Sequence, residues 1–205
     1  AEFSCKVIAK RSPDEGLGIA VHKDGHPAVI EYIDVPGKVA EQTDSSGTLR
    51  FLYGSIAVHI LNIDFVRRVI DEDLDLPWHV AEKEYEALEG TGPSRERKMK
   101  ECYKFEQFIF EALPHARNCA FVEAKREHEF TPVKNAEGED SPRTARKMMT
   151  ELWAEWLEQA GVNVRNEDGN IQYDLEISPL FARGPEELQQ KLPDNWSPSN
   201  PVVLE

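Results

Sequence analysis

Residues Ala120 to Arg146 read AFVEAKREHEFTPVKNAEGEDSPRTAR. The stretch starts apolar, turns polar over a long run and then launches the longest helix predicted in the chain. Ser141-Pro142 supplies an N-cap and a first-turn proline. Ala145, Met148, Met149, Leu152, Trp153, Trp156, Leu157 and Ala160 follow at i, i+3/i+4 spacing, and Gly161 stops the helix. Strand, loop and helix in succession are the alternation of an α/β protein. Of the lysines here, Lys125 and Lys134, the second sits on a turn-like Thr-Pro-Val-Lys-Asn. An ammonium braced between a strand and a helix is a compact charge suited to a phosphate. The same placement also describes an ordinary solvated loop lysine.

Upstream, Cys5 to Ala9 (CKVIA), Gly18 to His22 (GIAVH) and Pro27 to Tyr32 (PAVIEY) read as strands. Asp24-Gly25 joins the second and third as a hairpin, because a tight type I′ turn needs φ > 0 at both central residues. Glu31 and Tyr32 stand at the end of that hairpin, where a carboxylate and a ring can meet sugar hydroxyls or can simply face water. Pro36 to Gln42 reads as a short helix. Phe51 to Asn62 is mostly apolar and reads as strand, with close backbone approach at Gly54. Asp64 is expected to cap a helix over Phe65 to Glu72, with Phe65, Val66, Val69 and Ile70 on one face. Leu76 to Lys100 is polar, with a short strand at Val80 to Glu82 and a surface loop or mobile hairpin at Gly90 to Ser94. Phe105, Phe108, Ile109 and Leu113 fall at helical spacing within Tyr103 to Leu113. Phe108 and Phe110 flank Ile109; as core they pack, and as an extended segment they face one side and can line a pocket. Asn118 to Glu123 reads as a buried strand, Leu175 to Leu180 as a late strand, and the proline-rich tail as irregular.

The chain has 205 residues, enough for one sizeable domain or a domain with an appendage. A 40% hydrophobic share, four Trp and nine Phe support a real core. A net charge of −14 argues against nucleic acid and anionic membranes as partners. The densest basic run, Arg95, Arg97, Lys98 and Lys100, is interrupted by Glu96. Cys5, Cys102 and Cys119 are odd in number with no CxxC, which fits a reducing, cytoplasmic setting. His22 and His26 flank the hairpin turn, but two ligands do not make a metal site. The chain already reads as a strand by Cys5, as expected of the later part of a longer chain.

The stretches EGLGIAVHKDGHPAVIEYIDV, LRFLYGSIAVHIL, YKFEQFIFEAL, KREHEFTPVKNAEGEDSPRTAR and LEISPL, in this order and spacing, resemble the eukaryotic-type UDP-N-acetylglucosamine (UDP-sugar) pyrophosphorylases. The resemblance runs from about Cys5 to about Leu180 and implies a GT-A-like Rossmann nucleotidyltransferase sheet. Residues 1–135 would be the later half of the catalytic domain, and residues 136–205 a C-terminal helix and small extension. The implied reaction joins UTP and a sugar 1-phosphate, N-acetylglucosamine 1-phosphate or a related hexose 1-phosphate, into UDP-sugar and pyrophosphate with Mg²⁺. By the same resemblance Lys134 contacts the phosphates, Glu31 and Tyr32 the sugar, Gly18 forms site wall, and Phe108 and Phe110 flank the N-acetyl arm.

Two departures stand out. The family's Asn-Ala-Gly-Asn run reads Leu52-Tyr53-Gly54-Ser55 here, so Ser55 offers a hydroxyl in place of a sugar-contacting amide. The family's Gly-rich nucleotide loop and its magnesium-holding aspartate are expected upstream, in a missing N-terminal half of the same protein. This chain alone is therefore expected to be inactive. The alternative is a non-catalytic module that binds a nucleotide sugar or a partner protein.

Overall fold

The computed structural model describes residues 1–90 and 95–205. The chain divides into two compact units, Ala1–Ala124 and Lys125–Glu205, each built around its own hydrophobic cluster. The first unit holds a five-stranded sheet in the order β3-β2-β4-β1-β7. Its strands are β1 (Phe3–Ala9), β2 (Ile19–Lys23), β3 (His26–Ile30), β4 (Tyr53–Leu61) and β7 (Cys119–Glu123). The sheet is mixed. β3, β2, β4 and β1 run antiparallel in turn, and β7 alone pairs in parallel, with β1. The reason is local: the β2–β3 hairpin closes on Asp24 (φ 52) and Gly25 (φ 85), the left-handed pair that its type I′ turn needs.

β4 carries a bulge against β1 between the pairs Val7–Ser55 and Cys5–His59. Ala57 within it sits at φ 58, an uncommon region for a residue with a Cβ, and bends the strand beside Ser55. Helix α1 (Gly37–Ala40) is shorter than the predicted Pro36 to Gln42. Helix α2 (Ile63–Asp71) begins two residues before the expected start, because the Asn62 carboxamide accepts from the N–H groups of Asp64 (2.8 Å) and Phe65 (3.4 Å). Phe65 is buried, but Ile70 is exposed and off the predicted face. Phe3, Cys5, Val29, Phe65, Phe110, Ala112 and Leu113 form the core. β7 is half-buried rather than buried.

The polar stretch after Leu76 forms a long ribbon that extends well beyond the short strand expected at Val80 to Glu82. β5 (His79–Glu89) and β6 (Glu96–Glu106) pair antiparallel from His79–Glu106 to Glu89–Glu96. The predicted loop at Gly90 to Ser94 falls, from 91 to 94, outside the described residues. The helix expected over Tyr103 to Leu113 does not form: β6 occupies its first part and a 3₁₀ turn, Ile109–His115, the rest. Pro114 inside that turn removes a donor that an α-helix would use.

In the second unit, α3 (Arg126–Glu129) precedes α4 (Pro142–Gln159). Ser141 and Thr144 form a reciprocal capping box at the start of α4. Gly161 (φ 88) ends it in a Schellman arrangement, with Val162 N–H on Leu157 O (2.8 Å) and Gly161 N–H on Glu158 O (3.0 Å). The strand expected over Leu175 to Leu180 stops early: β8 is Leu175–Ile177, and Pro179 has no N–H to continue a ladder. The tail is ordered into elements, contrary to the irregular reading. α5 (Pro185–Lys191) buries Leu188, and β9 (Val202–Leu204) pairs parallel with β8. Among the described residues, no helix is long and apolar enough to cross a membrane.

The three cysteines are free thiols. Burial, together with the neighbouring Cys119, pushes the Cys5 thiol up to about 12. Iodoacetamide at about pH 8 is therefore expected to label Cys102 while sparing Cys5 in the folded protein, since the thiolate is the reacting form. Peptide mapping after timed labelling reads this out; equal rates at the two cysteines would refute it.

Candidate functional site

The sheet brings four of the sequence-selected residues together. Gly18 immediately precedes β2, the strand between β3 and β4. Its carbonyl accepts the N–H of Ser55 on β4 at 2.7 Å. On its other side, a Cβ at Gly18 would lie 2.8 Å from Val29 Cγ1 and 3.2 Å from Glu31 Oε1. Glu31 stands at the exit of β3, at the start of the 3₁₀ turn Tyr32–Asp34. The Tyr32 ring lies against Gly16, whose added Cβ would be 3.5 Å from it, and remains 45% exposed. The loop ahead of β2 thus presses on the Glu31–Tyr32 corner, and only residues without a side chain fit at Gly18. A carboxylate and an exposed ring stand together at one end of a rigid sheet, beside the backbone of Ser55, whose hydroxyl accepts the N–H of Ala57 at 3.4 Å; a carboxylate and a ring so placed suit a polyhydroxylated ligand.

Phe108 and Phe110 stack, with centroids 4.8 Å apart and planes at 11°. Phe108 is in extended backbone (φ −109, ψ 133), which lets alternate side chains meet. Phe110 is buried in the cluster that contains Val29, the residue in contact with Gly18, and Phe108 packs half-buried against the same cluster. The His79 ring sits 4.8 Å from Phe108, and its Nε2 is 2.7 Å from Glu111 Oε1.

Lys134 belongs to the second unit and is exposed. Its backbone N–H and that of Asn135 both donate to the Asp140 carbonyl, at 2.7 and 3.0 Å. The Asn135 carboxamide donates to Glu139 O at 3.0 Å, and Ser141 Oγ donates to Gly138 O at 2.7 Å. The loop is thereby closed on the N-cap of α4, and Asp140 at φ 51 makes the final turn.

Sequence reading passed over two groups. Lys10 is 6% exposed, its ammonium donating to Pro13 O at 2.8 Å, and burial lowers its pKa. Strand alternation already placed position 10 on the face of buried Ile8, which was the available signal. Lys10 braces the turn that leads to Gly16 and Gly18. Tyr53 donates its hydroxyl to Glu123 at 3.1 Å, which raises the phenol's pKa. Nothing in the sequence announces this pair, because its members lie on β4 and β7, separated by β1. Among the described residues, no group of three or more His, Cys, Asp or Glu side chains is placed to hold a metal ion.

Comparison with known proteins gives consistent findings. The family model described as UTP--glucose-1-phosphate uridylyltransferase matches residues 1–158. A UDP-N-acetylhexosamine pyrophosphorylase-like protein 1 from Xenopus tropicalis is 31% identical, over 100% of this chain and 43% of its own length. The UDP-N-acetylglucosamine pyrophosphorylase of Saccharomyces cerevisiae is 32% identical, over 92% of this chain and 40% of its own. This chain thus spans about two fifths of the length of these curated relatives. The crystal structure of the uridine diphosphate N-acetylglucosamine pyrophosphorylase from Trypanosoma brucei shares the fold. Its TM-score is 0.76 at 24% identity, covering 100% of this chain and 43% of that one.

Proposed function

Because the chain belongs to the UTP--glucose-1-phosphate uridylyltransferase family, we propose that it is the sugar-side portion of a cytoplasmic uridylyltransferase. The substrates are UTP and N-acetylglucosamine 1-phosphate or a related hexose 1-phosphate, and the products are UDP-sugar and pyrophosphate. The sheet is read as the later part of a GT-A-like Rossmann nucleotidyltransferase sheet. The observation that carries the reading is the convergence of Gly18, Glu31, Tyr32 and Ser55, within the family-matched residues, at one end of the sheet.

A phosphate oxygen of the sugar 1-phosphate attacks the α-phosphorus of UTP. The new O–P bond forms as the bond to the bridging oxygen breaks, and the electron pair leaves with pyrophosphate. The nucleophile is already an oxyanion, so no proton has to be removed from it. Charge stabilisation is the protein's main task in such transfers, and Lys134 supplies a cation on an ordered loop. Glu31 accepts from sugar hydroxyls, and Tyr32 offers a ring face. Ser55 reaches less far than an amide, so a hexose lacking the N-acetyl group is accommodated better than an amide at that position would allow.

The test is pyrophosphate release by the full-length protein with UTP and a panel of sugar 1-phosphates. Turnover with a hexose 1-phosphate is expected, and Lys134→Ala should reduce kcat by about 10²–10³. Near-normal turnover of that variant would remove Lys134 from the reaction. An inert parent protein that still binds UDP-sugar would replace the enzyme reading with a binding module.

A further inference from the structure

Within the second unit, a groove of about 600 Å³ runs along the first half of α4, walled in part by Ala136, Arg143, Arg146, Lys147, Glu151 and Ile171. Positions 143, 146 and 147 stand at i, i+3 and i+4, so the three cations share one helix face within about 6 Å of each other. Among the described residues, no side-chain hydrogen bond or ion pair engages any of the three. Glu151, the acid in that wall, is already held by Arg165 at 2.8 Å. Glu137, Glu139 and Asp140 lie in the preceding loop, yet none forms an ion pair with these cations.

This placement is electrostatically unfavourable for the chain alone. Like charges at i, i+3 and i+4 repel. The positive end of the helix dipole adds to the cost, and the first turn of α4 holds no acidic residue to offset it. A protein of net charge −14 repels anions in general, so a local cluster of unpaired cations facing a groove marks a selective exception. The cations converge over a single helical turn, which matches a small multivalent anion better than an extended polymer.

We propose that this groove binds a compact polyphosphate, two or three linked phosphoryl groups, either free or as the tail of a nucleotide. It stands apart from the proposed transferase reading and does not involve Lys134. Calorimetric titration of the full chain with inorganic triphosphate, pyrophosphate and UTP tests it. Binding should weaken as salt rises from about 0.05 to about 0.5 M. The combined variant Arg143→Gln, Arg146→Gln and Lys147→Gln should bind more than about tenfold more weakly, since charge-assisted contacts are lost. Lys38→Gln, on α1 of the first unit, should leave the affinity unchanged. Should the combined variant fail to fold, Arg146→Gln alone reads the same loss. Equal affinity for pyrophosphate and UTP points to free polyphosphate as the ligand, and a preference for UTP points to the nucleotide; both support the site. Undiminished binding by the combined variant, or no heat with about 1 mM triphosphate at low salt, overturns it.

Discussion

Gly54→Val is expected to destabilise the first unit by about 3 kcal/mol. A Cβ at Gly54 would lie 2.6 Å from Leu17 Cδ1 and 2.8 Å from Leu17 Cβ. The first contact can relax by rotating the leucine, but the second cannot, because that atom is fixed to the backbone. Leu17 is buried on the loop braced by Lys10, and Gly54 pairs with Ile8 on one side and Ile19 on the other. Relief therefore requires moving either a central strand or the loop that carries Gly18. The valine branches add to the clash, so Gly54→Ala should lie between the parent and Gly54→Val in urea midpoint. An alanine variant within about 0.5 kcal/mol of the parent would mean that the loop yields freely.

Leu157→Ala is expected to cost the second unit about 2–5 kcal/mol, the range for truncating a fully buried leucine. Leu157 is 0% exposed and packs in the cluster with Ala154, Val164, Leu175, Ile177 and Leu188. Its own carbonyl also accepts the N–H of Val162 in the turn that ends α4. Tryptophan fluorescence can follow the change, because Trp153, Trp156 and Trp196 pack against this cluster and Trp78 belongs to the first unit. The fluorescence midpoint in urea should fall. An unchanged midpoint would show that the fluorescence transition does not report on this core.

Both sites lie in elements that local chemistry makes readable. Asp24-Gly25 dictates a hairpin through its backbone, and Ser141, Pro142 and Gly161 delimit α4 through capping. Gly54 could be read as a close approach because glycine inside an apolar strand has few other uses. The β5–β6 ribbon was legible only as a short strand and one of two readings of Gly90 to Ser94, for an opposite reason. Both its faces are largely exposed, so Glu and Lys occupy positions where alternation would normally show apolar residues. α5 and β9 were hidden by surrounding prolines, although Pro185 merely opens its helix. At α2, Asn62 and Asp64 are both good caps by residue type, and in the folded chain it is Asn62 that reaches the free N–H groups. The Glu31–Tyr32 corner was visible as a strand end. Its packing against Gly16 and Gly18 is a contact between a loop and a strand end, which no local sequence pattern announces.

The closure of residues 134–140 on the helix cap has a thermodynamic consequence. Asp140 accepts two N–H groups, and Asn135 and Ser141 satisfy carbonyls on the same short path. The conformational entropy of that backbone is lost when the unit folds, not when a ligand arrives. A ligand that met this loop would find its main chain already ordered, so backbone ordering would not be charged to binding. Breaking the cap, for instance at Ser141, would transfer the cost of ordering the whole loop to the binding step.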